Sequence, residues 1–307
     1  MKRREFFWKS IGAGMVATGS LGMGSFNKLL AAPFLPDTAV DMVAIKGGEP
    51  DTMFDRGIAA LGGMQQFVKK GQTVVIKPNI GWDRTPERGA NTNPVLIKRV
   101  IEHCMNAGAK TVYVFDHTCD EWTKCYKTSG IEQAAKEAGA KVVPGHTEGY
   151  YQEVQIPQAV KLKTTKVHEL ILESDVFINM PILKHHSSTQ LSLAMKNLMG
   201  IVWDRRFWHS NDLHQCIADY ATYQRKPDLN VMDAYFVMKR NGPQGVSKAD
   251  VVEMKSQLIS ADMVAIDAAA TKIFGKEPAT VPHIRIADEM GVGTMDLTKL
   301  HIERITI

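Results

Sequence analysis

Short apolar runs that end in charge alternate along the chain with stripes of hydrophobic residues at helical spacing. Val40 to Ile45 alternates as a half-buried strand does, and Gly47-Gly48 closes it. From a cap at Asp51 or Thr52, residues Ile58, Leu61, Met64, Phe67 and Val68 recur on one face, which predicts a helix running to about Lys70. Thr73 to Ile76 is the next strand. Asn93-Pro94 starts a helix that ends by Gly108, because Asn caps and proline suits the first helical position. Thr111 to Phe115 and Lys141 to Val143 read as strands around a short helix over 130–138. Val176 to Met180, stopped by Pro181, reads as a buried strand, Leu191 to Leu198 as a helix ending at Gly200, and Leu229 to Met232 as a strand. Asp262 caps a last predicted helix, Met263 to Phe274, before Gly275. This alternation predicts a three-layer α/β/α fold on a mainly parallel sheet. Partial alternation around Tyr150, Tyr151, Val154 and Ile156 makes 145–173 a small inserted β-rich excursion. No linker or low-complexity tract interrupts 40–307, so one domain is expected there.

Charge sharpens the picture at the strand ends. Four predicted strands finish in or run into Lys77, Asp116, Lys184 and Asp233, and a parallel sheet gathers such ends along its carboxyl edge, where α/β proteins take their ligands. A cleft is expected there. Lys77, Lys184 and Lys196 would hold an anionic group, while Asp116, Asp233 and Asp267, with His117, would position a metal ion or balance the lysines. Asn79, Arg84, Thr92, Asn93 and Asn197 complete the candidate ligand-binding set, since amides at the start of the Asn93 helix suit an anion beside Lys77 and Arg84. His186, with Lys184 and Lys196, is the candidate for catalysis, because an unshifted imidazole titrates near neutrality. His185 would point the other way in an extended segment. The aromatic and polar stretch Trp203 to His214 is read as a rim or lid, with His209 and His214 as ligands, bases or surface histidines.

Composition narrows the classes. A chain of 307 residues, 44% hydrophobic and 23% charged, builds a large core. Its net charge of +4, without a basic run interleaved with aromatics beyond the N-terminus, argues against a nucleic-acid partner. Cys119 and Cys125 are read as a local disulfide, as metal ligands with His117, or as two free thiols, and all three remain open. Cys104 and Cys216 read as small buried hydrophobes, and no cysteine run supports a self-contained ferredoxin-type cluster.

Residues 1–32 stand apart. Arg3-Arg4 before Phe6-Phe7-Trp8-Lys9, then a weakly apolar stretch rich in Gly, Ala and Ser, resembles a twin-arginine (Tat) export signal, with Lys2 and Trp8 as departures from its usual pattern. The resemblance implies passage of the folded protein through the Tat translocase, to the periplasm or to an anchored position on the outer face of the inner membrane. Cleavage near Ala31 or Ala32 and an uncleaved anchor both stay open.

Lys77-Pro78-Asn79, Asn91-Thr92-Asn93-Pro94, the strand ending in Asp116, Asn179-Met180-Pro181 with Lys184 and His186, Lys196-Asn197-Leu198-Met199-Gly200, Asp233 with Gly242-Pro243, and Asp262 to Asp267 follow one another in an order that resembles the domain-of-unknown-function 362 family. Some members carry an iron–sulfur module, which hints at redox chemistry, but this chain lacks its cysteine run. Asp83-Arg84-Thr85-Pro86 before a helix is also similar to the cofactor-phosphate loop of the lactate racemase family. That similarity implies a nickel-containing cofactor, with Lys184, His185 and His186 as its lysine anchor and histidines. Three functions are therefore expected: a metal- or cofactor-dependent enzyme, redox or isomerising, acting on an anionic small molecule; a binding protein for an anion or metal; or a maturation or scaffold partner of an exported redox enzyme.

Overall fold

The computed structural model describes residues 39–307, and the expected export signal over 1–32 lies outside the described residues. In chain order the strands are β1 (Met42–Lys46), β2 (Thr73–Pro78), β3 (Thr111–Val114), β4 (Lys141–Val142), β5 (Tyr151–Gln155) and β6 (Thr164–His168). They continue with β7 (Val176–Met180), β8 (Lys184–His186), β9 (Gln190–Ser192), β10 (Leu229–Met238), β11 (Val251–Ser260) and β12 (Ile302–Thr306). Eight of them form one sheet in the order β12-β1-β11-β10-β7-β2-β3-β4. All neighbouring pairs are parallel except those of β11, which runs antiparallel to both β10 and β1.

Each face of the sheet carries its own core, and strand alternation decides which residue serves which. In β2, Val74 and Ile76 pack with residues of helices Pro50–Ala60, Pro94–Asn106 and Ile131–Glu137, whereas Val75 packs with residues of Ala194–Asn197, Leu213–Ala221, Met263–Phe274 and Pro282–Glu289. The fold is thus a three-layer α/β/α arrangement. Lys77 has the parity of Val75, so it faces the layer that holds helix Ala194–Asn197.

Several elements differ from expectation for identifiable reasons. The first helix stops at Ala60 rather than near Lys70, because Gly62 and Gly63 adopt φ of +85° and +88° and turn the chain out of the helix. Residues 190–192 pair with β8 in the register Lys184↔Ser192 and His186↔Gln190, which delays the central helix to Ala194–Asn197. β10 does not end at Asp233 but continues to Met238, since its later residues are also buried. The caps behave as their residue types require: Asn93 accepts from the Val95 amide, and Asp262 from those of Val264 and Ala265. Within 145–173, β5 and β6 form an antiparallel hairpin, and the buried Asp219 carboxylate grips its connecting loop through the Val160, Lys161 and Leu162 amides. No helix of the described residues is long and apolar enough to cross a membrane.

Candidate active site

At the carboxyl ends of β2, β3 and β7 three of the four strand-end residues meet. Lys77 Nζ lies 3.0 Å from Asp116 Oδ1, and both side chains are buried, 1% and 3% exposed. Asp116 Oδ2 accepts from the Ile80 amide at 2.7 Å. Lys77 also donates to Asn197 Oδ1 at 2.8 Å, which accepts in turn from Asn79 Nδ2 at 2.9 Å. Lys184 donates to Asn79 Oδ1 at 3.1 Å and to the Ala90 carbonyl. The network continues inward, where Asn197 Nδ2 donates to Asn179 Oδ1 and Asn179 Nδ2 to Asn230 Oδ1, crossing β7 and β10. These amides satisfy polar groups that would otherwise be buried without partners, and they fix the rotamers of the lysines above them.

The network floors a small cleft of about 60 Å³. Lys77, Lys184, Lys196 and Arg205 line it, with Asp116 as the sole carboxylate of the lining and His186 and Cys119 beside them. Four basic groups therefore face one acid. Burial and the neighbouring cations depress the amines, Lys184 to about 7 and Lys196 to about 8. Lys196, half-buried, has no hydrogen bond or ion pair of its side chain among the described residues, unlike Lys77 and Lys184. Arg205 donates to the His117 and Thr118 carbonyls and reaches to 3.6 Å from Cys119 Sγ. A wider groove of about 720 Å³ shares His117 and Arg205 with the cleft and is lined further by Lys161, Lys163, Lys166 and Trp203.

Two further residues shape this cleft, Asp267 from behind it and Gly200 in its wall. Asp267, wholly buried on helix Met263–Phe274, accepts from the Ala194 and Met195 amides at 2.6 and 3.0 Å. It supplies from another helix the cap that Leu193 cannot, and so holds the turn bearing Lys196 and Asn197. Gly200 packs against the Lys77–Asp116 pair, where an added Cβ would come within 2.6 Å of Lys77 Nζ and overlap Asp116 Oδ1.

Other expectations need correction. Asp116, His117, Asp233 and Asp267 do not form one metal site: the three carboxylates serve Ile80, Asn93 with Tyr235, and Ala194 with Met195 respectively. His117 bonds the Val202 carbonyl through Nδ1 and stacks on Trp203 at 5.1 Å. No three His, Cys, Asp or Glu residues stand together to hold a metal among the described residues. The anion site expected at the Asn93 helix start is filled from within, because Asp233 Oδ2 takes the Asn93 amide at 2.7 Å and Thr92 donates to the Met180 carbonyl. Arg84 turns to the Asp83 carbonyl and does not line the cleft.

His186 lines the cleft but does not titrate near neutrality, since burial and then Lys196 and Lys184 push it down to about 2. Its Nδ1 accepts from the Ser188 amide, which leaves the neutral ring with its proton on Nε2. His185 turns away, accepting from the Gly242 amide, so Lys184, His185 and His186 do not fit a common nickel-binding set. His214 pairs instead with buried His283 at 3.1 Å. Cys119 and Cys125 are free thiols, one exposed and one buried, and Cys125 Sγ faces the Gly81 carbonyl. Arg205 was missed by sequence reasoning. Its only signal was its place in the aromatic and polar stretch read as a rim.

The same strand ends and asparagine network fall inside a match to the family described as Domain of unknown function (DUF362), over residues 74–272. The chain belongs to this family. DUF362 relatives include Thylakoid-associated protein sll1697 of Synechocystis, 25% identical over 240 residues that cover 76% of this chain and 72% of that protein. Among solved structures, a Thermotoga maritima protein matches with a TM-score of 0.46 at 13% identity over 83% of this chain. The lactate racemase apoprotein of Thermoanaerobacterium thermosaccharolyticum matches with a TM-score of 0.44 at 12% identity, again over 83% of this chain. The DUF362 chain spans 61% and 58% of those two structures.

Proposed function

We propose that this DUF362 protein is an enzyme acting on an anionic small molecule held in the cleft at the carboxyl edge of the sheet. One observation carries the reading: Lys77, Lys184, Lys196 and Arg205 line a small cleft, with Lys77 and Lys184 themselves buried, that offers them only the Asp116 carboxylate. Concentrating positive charge in a poorly solvated site costs free energy, and an anion offsets that cost. Two amines depressed to about 7 and 8 give the site proton carriers in the range where His186 supplies none. In this reading Arg205 and Lys77 orient the anion, Lys184 and Lys196 exchange protons, and His186 donates a fixed hydrogen bond from Nε2.

Thermal-shift titrations with phosphate, sulfate and oxalate against chloride at constant ionic strength test it. At least one of these anions should raise the melting temperature of the native protein, and Arg205→Met should lose most of that rise. Equal responses to chloride and to every other anion would sink the proposal. We also propose export through the twin-arginine route, supported by Arg3-Arg4 and the residues after them. Replacing both arginines with lysine should leave the protein in the cytoplasmic fraction.

A further inference from the structure

We infer that the substrate class of this cleft is a small carboxylate or phosphate that carries a carbonyl group, and that Lys196 Nζ condenses with that carbonyl to form an imine. The inference rests on the anion reading above and adds a covalent step to it. Three basic groups of the cleft are already engaged: Lys77 by Asp116 and Asn197, Lys184 by Asn79 and the Ala90 carbonyl, and Arg205 by the His117 and Thr118 carbonyls. Lys196 alone of the four makes no side-chain hydrogen bond among the described residues, and it lines the cleft from a helix turn held by Asp267. An unengaged amine on a turn held by Asp267, where burial and then the Arg205 and Lys77 cations discourage its protonation, has the setting of a lysine nucleophile. Its depression to about 8 agrees with that geometry.

The cations also set the orientation of the substrate. The anionic end pairs with Arg205 and Lys77, which leaves the adjacent carbonyl carbon to face Lys196. The amine lone pair forms the C–N bond as the carbonyl π bond opens. The carbonyl oxygen then departs as water with the two protons that the amine gives up, leaving a C=N bond and requiring no oxidant, reductant or second substrate. The second N–H of the Asn79 side-chain amide, whose first is given to Asn197 Oδ1, offers a hydrogen bond to the oxygen as it leaves.

The test uses the folded protein with glyoxylate and sodium cyanoborohydride, followed by peptide mass spectrometry. At pH 8 an amine with a pKa of about 8 is unprotonated on the order of 100-fold more often than an exposed lysine at about 10.4. Lys196 should therefore take the reduced adduct at least about tenfold faster than surface lysines, the lower basicity removing part of that advantage. Phosphate should compete, labelling should rise with pH through about 8, and Lys196→Arg, which keeps the charge but removes the amine nucleophile, should abolish the adduct in a protein whose cooperative urea unfolding shows that it is folded. An adduct spread over surface lysines, or placed on Lys184, in a protein that phosphate still stabilises would overturn the assignment to Lys196. Absence of stabilisation by phosphate, sulfate and oxalate alike would instead overturn the anion reading beneath it.

Discussion

Removing Lys77 should cost more than removing the Lys77–Asp116 pair. Lys77→Met deletes the ammonium 3.0 Å from Asp116 Oδ1 and leaves a carboxylate that is 3% exposed with only the Ile80 amide on its other oxygen. Breaking one half of a buried ion pair costs about 3–5 kcal/mol, because the surviving charge is desolvated without its partner. Asn197 Oδ1 keeps its bond from Asn79, so the amide floor adds little to the loss. The expectation for Lys77→Met is a destabilisation of about 3 kcal/mol, at the lower end because the Ile80 amide remains. The double variant Lys77→Met/Asp116→Leu removes both charges and should recover at least about 1 kcal/mol of that loss, since a buried pair replaced by apolar groups is often neutral. Urea unfolding of the wild type, both single variants and the double variant gives the coupling directly from the midpoints and slopes. If the single-variant losses simply add in the double variant, the pair is not coupled and the account of the site floor is wrong.

Two further predictions follow from neighbouring residues. Gly200→Ala should destabilise the protein by about 1–3 kcal/mol through overpacking, and it should also weaken phosphate binding; an unchanged urea midpoint with unchanged binding would show that the Lys77–Asp116 pair is not confined as described. Burial lifts Asp233 to about 6, so the proton it retains in the fold stabilises the protein fully below the unfolded value near 3.8, and that contribution is lost as pH rises through about 6. At about 1.4 kcal/mol per unit the span is on the order of 3 kcal/mol, and Asp233→Asn should flatten the stability profile between those limits in urea melts taken across pH; an unaltered profile would refute the linkage.

Much of the fold was legible because the strands are short, apolar and bounded, and because Asn93, Asp262 and Gly275 announce helix ends by chemistry that acts locally. Lys77, Asp116 and Lys184 were legible as a group for a topological reason, since parallel neighbours bring their ends together wherever the intervening chain goes. Asp233 misled because a charge in an apolar run resembles a strand end, and nothing local shows that Asn93, a hundred and more residues earlier, lends it an amide. Asp267 was recognised as needing a partner, but a lysine or metal was expected where two backbone amides serve. Gly200 was read as a helix stop, whereas its absent side chain makes room for an ion pair built from two other strands. His186 failed because sequence shows an imidazole but neither the burial that depresses it most nor the amines of Lys196 and Lys184 that fold in beside it.

The place of β1 in the sheet has a consequence for folding. It is the first strand of the described residues, yet both of its neighbours, β11 and β12, lie roughly two hundred residues or more further along the chain. Both hydrogen-bonding edges of β1 stay unpaired until those distant strands have formed, so this part of the sheet depends on non-local pairing, and pairing of the open edge with another copy is the hazard during folding.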